Sequence, residues 1–391
     1  MSGAAPPPLR ILMHCVYFPP EVGGLESHVF HLARELADLG HHVDVVTSRS
    51  RPGTPAAEIM DGIHVHRTWF PGRSPAGWVL HALGSIPTTR RLARDADVVH
   101  AQAFASVIPG MAARRVAGAP LVTTWHTSHF LMRAARPGWR PVFRWMLRRT
   151  DWNLAASREI AAVGEGLAPG VVVEALTNGV DTERFRPVAP ALPPVRAGRR
   201  RLIVPRRLYP KNGVEYAVRA LPELVRAVDA EMIVVGDGPE RGRLEALALE
   251  LGVRDRITFL GARPHTEIPA LLASAELAVF PSLMEATSVA ALECLSCRVP
   301  VAASRVGGLP EIVDDAVGGL FEPGDPQSLA DTVLRLLRDP GLADRGRIGR
   351  ARVEASWSNA RLARRHLEIY RALREGRTPH PPAPPSSPPA S

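Results

Sequence analysis

Lysine is almost missing from this chain: Lys211 is the only one among 391 residues, although lysine and arginine together number 48. Such scarcity weighs against chemistry built on a lysine Schiff base, the pyridoxal phosphate enzymes included. Cysteine is scarce too. Three residues exclude a disulfide framework and fit a reducing compartment. Cys294 and Cys297 form a Cys-x-x-Cys, but no second pair completes a zinc site, so packing is the better reading. No apolar run reaches the ~18 residues of a membrane span. The opening MSGAAPPPLR lacks the apolar core of a secretory signal. A cytoplasmic protein is expected, at most peripheral at the inner face of the membrane.

Hydrophobic residues make up 46% and charged residues 22%, a soluble globular composition. The length suits two domains with separate cores. A net charge of +9 and a pI near 10.5 ask for an anionic partner: a nucleotide diphosphate, an acidic membrane surface or nucleic acid. Arginine carries the excess without a recognisable nucleic-acid-binding motif, so nucleic acid is not expected.

Short apolar runs alternate with helical patterns along the chain. Strands are expected at 10–17, 43–47, 63–67, 98–101, 121–125 and 152–156, and again at 202–205, 232–235, 257–260, 277–280 and 299–303. This is the rhythm of α/β domains with parallel sheets. The first strand is not followed by G-x-G-x-x-G, which disfavours a dinucleotide. Residues 187–200, rich in proline and alanine, read as an interdomain linker.

The stretch 277–303 is the most informative. A strand, a loop carrying Glu285, a helix opening near Thr287 and Ser288, and a second strand make a βαβ unit. At its strand-to-helix junction, unpaired N–H groups and the helix dipole face an anion. Small residues at 286–288 let a ligand approach that backbone. Glu285 and Glu293 bracket the phosphate position. Were both helical they would lie about 12 Å apart, too far to share one cation. They suit hydroxyl groups at two ends of one ligand, with a diphosphate between.

Glu285-x7-Glu293 in this setting resembles the Glu-x7-Glu motif of retaining glycosyltransferases of family 4. Those enzymes have the GT-B fold, two Rossmann-like βαβ domains facing each other across a cleft. The resemblance runs from about residue 9 to about residue 375. Gly23-Gly24 resembles the family's Gly-Gly turn, where backbone N–H groups approach the donor phosphates; a turn that only needs positive φ is the plainer account. His126 ends a strand where the family has a histidine beside the transferred sugar, although a lone histidine is more often structural. Residues 206–215 resemble Gly-Arg-Leu-x-x-x-Lys-Gly: Arg207 matches the arginine, but the lysine position falls on Asn212, with Lys211 one residue earlier. Gly236 lies in a turn that the family places beside the nucleotide. Residues 177–181 with Phe185 resemble the signature Pro-Asn-Gly-Val-Asp-x-x-x-Phe and read as structural. Arg298 stands where the family usually ends a helix with glycine, and an αL cap there costs about 1 kcal/mol.

The resemblance implies transfer of a sugar from a UDP- or GDP-linked donor to an acceptor hydroxyl, with no cofactor beyond the nucleotide sugar as co-substrate and no metal. It places His126, Arg207, Lys211 and Glu285 at the reaction. Gly23, Gly24, Gly236, Ala286, Thr287, Ser288, Val289 and Glu293 fall to donor binding. The acceptor stays open among a glycan, a lipid-linked sugar and a small molecule. Domains follow as a disordered 1–8, an acceptor domain 9–186, the linker 187–200, a nucleotide-sugar domain 201–356, a helix 357–376 crossing back, and a disordered tail 377–391. Within 129–152, Arg140, Arg144 and Arg148 fall on one helical face, with Trp139 and Trp145 nearby. That segment is either a peripheral membrane contact or a core helix with a solvated face. Two other classes remain: a catalytically silent sugar-nucleotide-binding protein, and a sugar-nucleotide epimerase or phosphorylase of similar two-lobed fold. The loss of transfer with nucleotide binding retained in Glu285→Ala separates the silent protein from the enzyme.

Overall fold

A computed structural model of the chain describes residues 6–21, 23–126, 128–176, 178–285 and 288–381. It divides into two compact units, Met1–Leu176 with Leu362–Ser391 and Thr177–Arg361.

Among the described residues the first unit holds eight strands: β1 (Arg10–His14), β2 (His42–Ser48), β3 (Ala57–Met60), β4 (Ile63–Thr68), β5 (Val98–Gln102), β6 (Leu121–Trp125), β7 (Trp152–Ala155) and β8 (Val173–Ala175). Their order is β3-β4-β2-β1-β5-β6-β7-β8. Only β3 is antiparallel, paired to β4 at the edge. Strands β5, β6 and β7 are buried throughout, their polar members His100, Gln102, Thr123, Thr124 and Asn153 included. Helix Gly24–Asp38 buries Val29, Leu32, Ala33 and Leu36, the spacing of one helical face, against β1, β2 and β4.

The second unit holds β9 (Arg200–Val204), β10 (Ala230–Val235), β11 (Ile257–Gly261), β12 (Leu277–Phe280), β13 (Val301–Ser304) and β14 (Gly318–Phe321). The order is β11-β10-β9-β12-β13-β14, and every pairing is parallel. Helix Val214–Val228 lays Val214, Ala217, Val218, Leu221 and Leu224 on this sheet. Each sheet reverses direction once, between β1 and β5 in the first and between β9 and β12 in the second. Ligands of doubly wound sheets bind at the carboxyl ends of the strands that flank such a reversal.

The expected strands are present with ends shifted by a few residues. Three others, β3, β8 and β14, escape the apolar pattern: β3 is half-exposed at the sheet edge, β8 has only three residues, and β14 opens on two glycines. The division between units falls at Leu176 rather than at 186. Phe185 is buried in the second core, and Val180 pairs with Ser358. Gly179 permits that pairing, since a Cβ there would lie 3.0 Å from the Asn359 Cα. Residues 187–200 are not a free spacer: Ala191 N–H donates to the Ala270 carbonyl, and Leu192 N–H to the Ser274 hydroxyl. At the other end the chain rejoins the first unit at Leu362, and Trp357 stays against the second core. Arg298 takes φ 62° after helix Val289–Ser296, the left-handed conformation expected where a glycine usually stands.

The segment 129–152 forms two helices, Ser128–Ala134 and Arg140–Leu147. Phe143, Met146 and Leu147 of the second are buried, while Arg140, Arg144 and Arg148 are exposed. No helix among the described residues is long and apolar enough to cross a membrane.

Candidate active site

At the reversal of the second sheet, β9 runs into Arg206 and β12 into the loop that ends in Glu285. The Arg206 guanidinium donates to the Glu285 carboxylate, to the Asn212 Oδ1 at 2.9 Å and to the Ser282 hydroxyl at 2.9 Å. It also lies over the Phe280 ring, 5.5 Å from its centroid. Both members of the pair are nearly enclosed, with side chains 11% and 15% exposed. Glycines let the backbones come this close. A Cβ on Gly307, at φ +51°, would stand 1.6 Å from the Glu285 carbonyl, and one on Gly236, at φ +147°, would stand 2.1 Å from that of Arg206.

Sequence reasoning assigned Arg207 to the diphosphate and gave Arg206 no role. Arg207 is exposed, its guanidinium 5.8 Å from the Tyr209 ring centroid. Lys211 is exposed as well, and its carbonyl accepts from Leu283 N–H at 2.8 Å, tying the Glu285 loop to the turn 210–212. Asn212, at the family's lysine position, is buried and bonds the Arg207 carbonyl and the Arg206 guanidinium. The signal was the Arg206-Arg207 doublet: two cations leave one strand, so one can turn inward.

Ser288 caps helix Val289–Ser296 by accepting from Ala291 N–H at 3.3 Å, as expected of its residue type, and Val289 opens the helix. Ala286 and Thr287 lie outside the described residues. Glu293 faces His265, whose Nε2 stands 2.8 Å from its Oε1, and that ring packs on Phe185. Cys294 and Cys297 are buried free thiols, Cys297 pushed up to about 12 chiefly by burial.

In the first unit, His126 follows β6 at the carboxyl edge. Its Nε2 lies 2.8 Å from the Gln102 Oε1, so with that amide placement Nε2 carries the proton and Nδ1 the lone pair. The His28 ring sits 4.9 Å away, and His100 bonds Tyr370 and Thr124, each at 2.7 Å. Burial drives His126 down to about 3, with a smaller push from His366, itself near 4; His28 and His100 are also far below the ordinary value, chiefly by burial. These imidazoles are neutral at physiological pH. Gly23 caps helix Gly24–Asp38 with φ −178°, and Gly24 is exposed, with no atom within 4 Å of where a Cβ would stand, so neither glycine is explained by positive φ. A cavity of about 860 Å³ in this unit lies at the other end of the strands, between Asp97, Arg114, Asp151 and Arg374, and includes none of these residues.

Two family descriptions match the chain, "Glycosyl transferases group 1" over residues 193–352 and "Glycosyltransferase Family 4" over residues 22–184. Glycogen synthase of Mycobacterium tuberculosis is 31% identical over 95% of this chain and 97% of its own length. The chain belongs to glycosyltransferase family 4. D-inositol 3-phosphate glycosyltransferase of Salinispora arenicola is 30% identical to this glycosyltransferase over 93% of the chain and 92% of its own length. Sucrose-phosphate synthase of Thermosynechococcus elongatus superposes with a TM-score of 0.80 at 24% identity, covering 94% of this chain and all of its own, which establishes the GT-B fold. The activity is therefore glycosyl transfer from a nucleotide sugar.

Two outcomes are expected of this glycosyltransferase. Removing one member of an enclosed ion pair strands the other, at a cost of about 3 kcal/mol. Arg206→Ala should therefore lower the unfolding temperature and abolish transfer, whereas Arg207→Ala should leave the unfolding temperature unchanged; equal melting of the two variants would contradict the pairing. The second outcome is a pH dependence. The buried histidines have folded pKa values below the unfolded value near 6.5, so the unfolded chain binds more protons as pH falls. Stability is full above that value and drops below it, by about 1.4 kcal/mol per pH unit for each excluded group. Unfolding temperatures measured from pH 7.5 to 5 should fall steeply, and less steeply in His28→Phe.

Proposed function

We propose that this glycosyltransferase is a retaining, metal-independent enzyme that uses a UDP- or GDP-linked sugar and needs no other cofactor. The observation that carries this reading is the pair of supported carboxylates, Glu285 on Arg206 and Glu293 on His265, on either side of a capped helix N-terminus at the sheet reversal. Glu293 holds the ribose hydroxyls. Glu285, its Oε2 fixed by Arg206, offers Oε1 to hydroxyls of the transferred sugar. The diphosphate lies against the start of helix Val289–Ser296.

In the transfer step the bond from the anomeric carbon to the phosphate oxygen breaks, and its electron pair leaves with the diphosphate. The acceptor oxygen bonds to the same face of the anomeric carbon, and its proton passes to the departing phosphate oxygen. Arg207 and Lys211 supply the positive charge that stabilises the leaving group, while Arg206 is committed to Glu285. His126, neutral with a lone pair on Nδ1, accepts a hydrogen bond from a sugar or acceptor hydroxyl. The Gly23-Gly24 backbone offers N–H groups to the donor.

The acceptor side favours a molecule at an anionic lipid surface. Residues 69–94 and 128–149 contain ten arginines and no aspartate, glutamate or lysine, enough to account for the whole net charge of +9. Trp69, Val79, Leu80, Leu83, Met132 and Trp145 are exposed beside them. Arg133, stacked over both Trp78 and Trp139, ties the two stretches into one surface. Apolar side chains ringed by arginine suit a peripheral membrane contact.

The donor is tested by thermal unfolding with UDP, GDP or ADP and no added metal. A nucleotide at a hundredfold its Kd adds about 2.7 kcal/mol. One of the three should raise the unfolding temperature by several degrees. Glu293→Ala should erase the shift, and Glu285→Ala should keep it while losing transfer. No shift with any nucleotide would sink the assignment. Cosedimentation with vesicles tests the surface: binding to phosphatidylglycerol but not phosphatidylcholine, released by 0.5 M salt and weakened in Arg140→Glu/Arg144→Glu, is expected, and equal behaviour with both lipids would remove the membrane.

A further inference from the structure

At the amino ends of β2 and β4, away from the edge that carries His126, four polar side chains share one face. The strands are parallel neighbours with Asp44 opposite His64 and Val46 opposite His66. Alternation therefore puts His42, Asp44, His64 and His66 on one side, while Val43, Val45, Ile63 and Val65 fill the core on the other. The His42 Nε2 stands 3.0 Å from Asp44 Oδ2, and the His66 Nε2 stands 2.9 Å from Asp44 Oδ1. The rings of His42 and His64 lie 4.5 Å apart. One ligating atom from each of His42, Asp44 and His64 falls within 4.8 Å of the others, and all three residues are half-buried.

We propose that His42, Asp44 and His64 form a binding site for one divalent transition metal ion, zinc by preference. Two imidazoles and a carboxylate are a borderline-soft donor set, which favours zinc over magnesium or calcium, cations that take oxygen ligands. In a four-coordinate site with bonds near 2.0–2.1 Å, the ligand atoms stand roughly 3.4 Å apart. Small side-chain rotations close the triad onto an ion, and solvent takes the fourth position. His66, on the second oxygen of Asp44, orients the carboxylate from the outer shell. The ion bridges β2 to β4 beside the edge hairpin formed by β3 and β4, and so pins that edge of the sheet. It sits at the opposite end of the strands from His126 and takes no part in sugar transfer.

The test uses tag-free, chelator-stripped full-length protein titrated with Co2+ and followed by visible absorption, then with Zn2+ in competition. One equivalent should give the d–d bands of a four-coordinate ion, and Zn2+ should displace it. Zn2+, but not Mg2+, should raise the unfolding temperature. His64→Ala should weaken binding at least tenfold, His42→Gln should do the same, and His380→Ala, an exposed histidine elsewhere, should change nothing. Both site variants are checked for a metal-free unfolding temperature close to that of the parent, and either one suffices if the other fails to fold. The absence of stoichiometric Co2+ binding, or binding indifferent to both substitutions, would overturn the site. Because the readout is spectroscopic, it is independent of whether the donor assignment holds.

Discussion

The enclosed ion pair between Arg206 and Glu285 is the interaction around which the second unit is arranged. Its two members come from loops after β9 and β12, the strands on either side of the sheet reversal, so forming the pair closes the junction where a ligand is received. Charges so little exposed are costly unless each is partnered. The guanidinium is partnered by Asn212, Ser282 and the Phe280 face as well as by the carboxylate. The backbone around it is equally constrained: Gly236 and Gly307 allow two carbonyls to pass where any side chain would collide. Position 206 thus holds Glu285 in one orientation.

The first unit meets a different constraint. It gathers His28, His100, His126 and His366 at the carboxyl ends of β5 and β6 and keeps them dry. Burial makes these imidazoles neutral, which turns them into hydrogen-bonding groups of fixed direction instead of acids and bases that titrate near neutrality. Such a neutral array agrees with a reaction in which the departing phosphate, not a side chain, takes the acceptor proton. The histidines on the polar face of β2 and β4 are half-buried and gathered round Asp44, an environment for cations rather than for sugars.

Arginine gives the molecule its electrostatic character, in two settings. Around β9 and β10 arginines meet acids in close pairs, as Arg196, Arg199 and Arg256 do with Asp229. Within 69–94 and 128–149 no acid is interspersed among them, and Arg73 reaches as far as Glu21 for a partner. Cations gathered in this way project a field toward an anionic partner.

Much of this protein is determined by local sequence. Buried parallel strands are apolar on both faces, so β12 and the Met232–Val235 part of β10 are legible as runs; Ser288 caps a helix because its hydroxyl answers an N–H three residues on; Arg298 takes the left-handed turn that its position demands. The order of the motifs, from Gly23-Gly24 through His126 to Glu285 and Glu293, was enough to bring the family into view. Tertiary structure decided what depends on contacts between distant residues. It selected Arg206 over Arg207 as the partner of Glu285, because two adjacent side chains leaving a strand point to opposite sides and only the rest of the unit determines which side is the interior. It joined 178–186 to the second unit through the pairing of Val180 with Ser358, a partner far away in sequence. It also set His64 beside His42 and Asp44, which alternate on one face of β2, because register between parallel strands is set by the whole sheet.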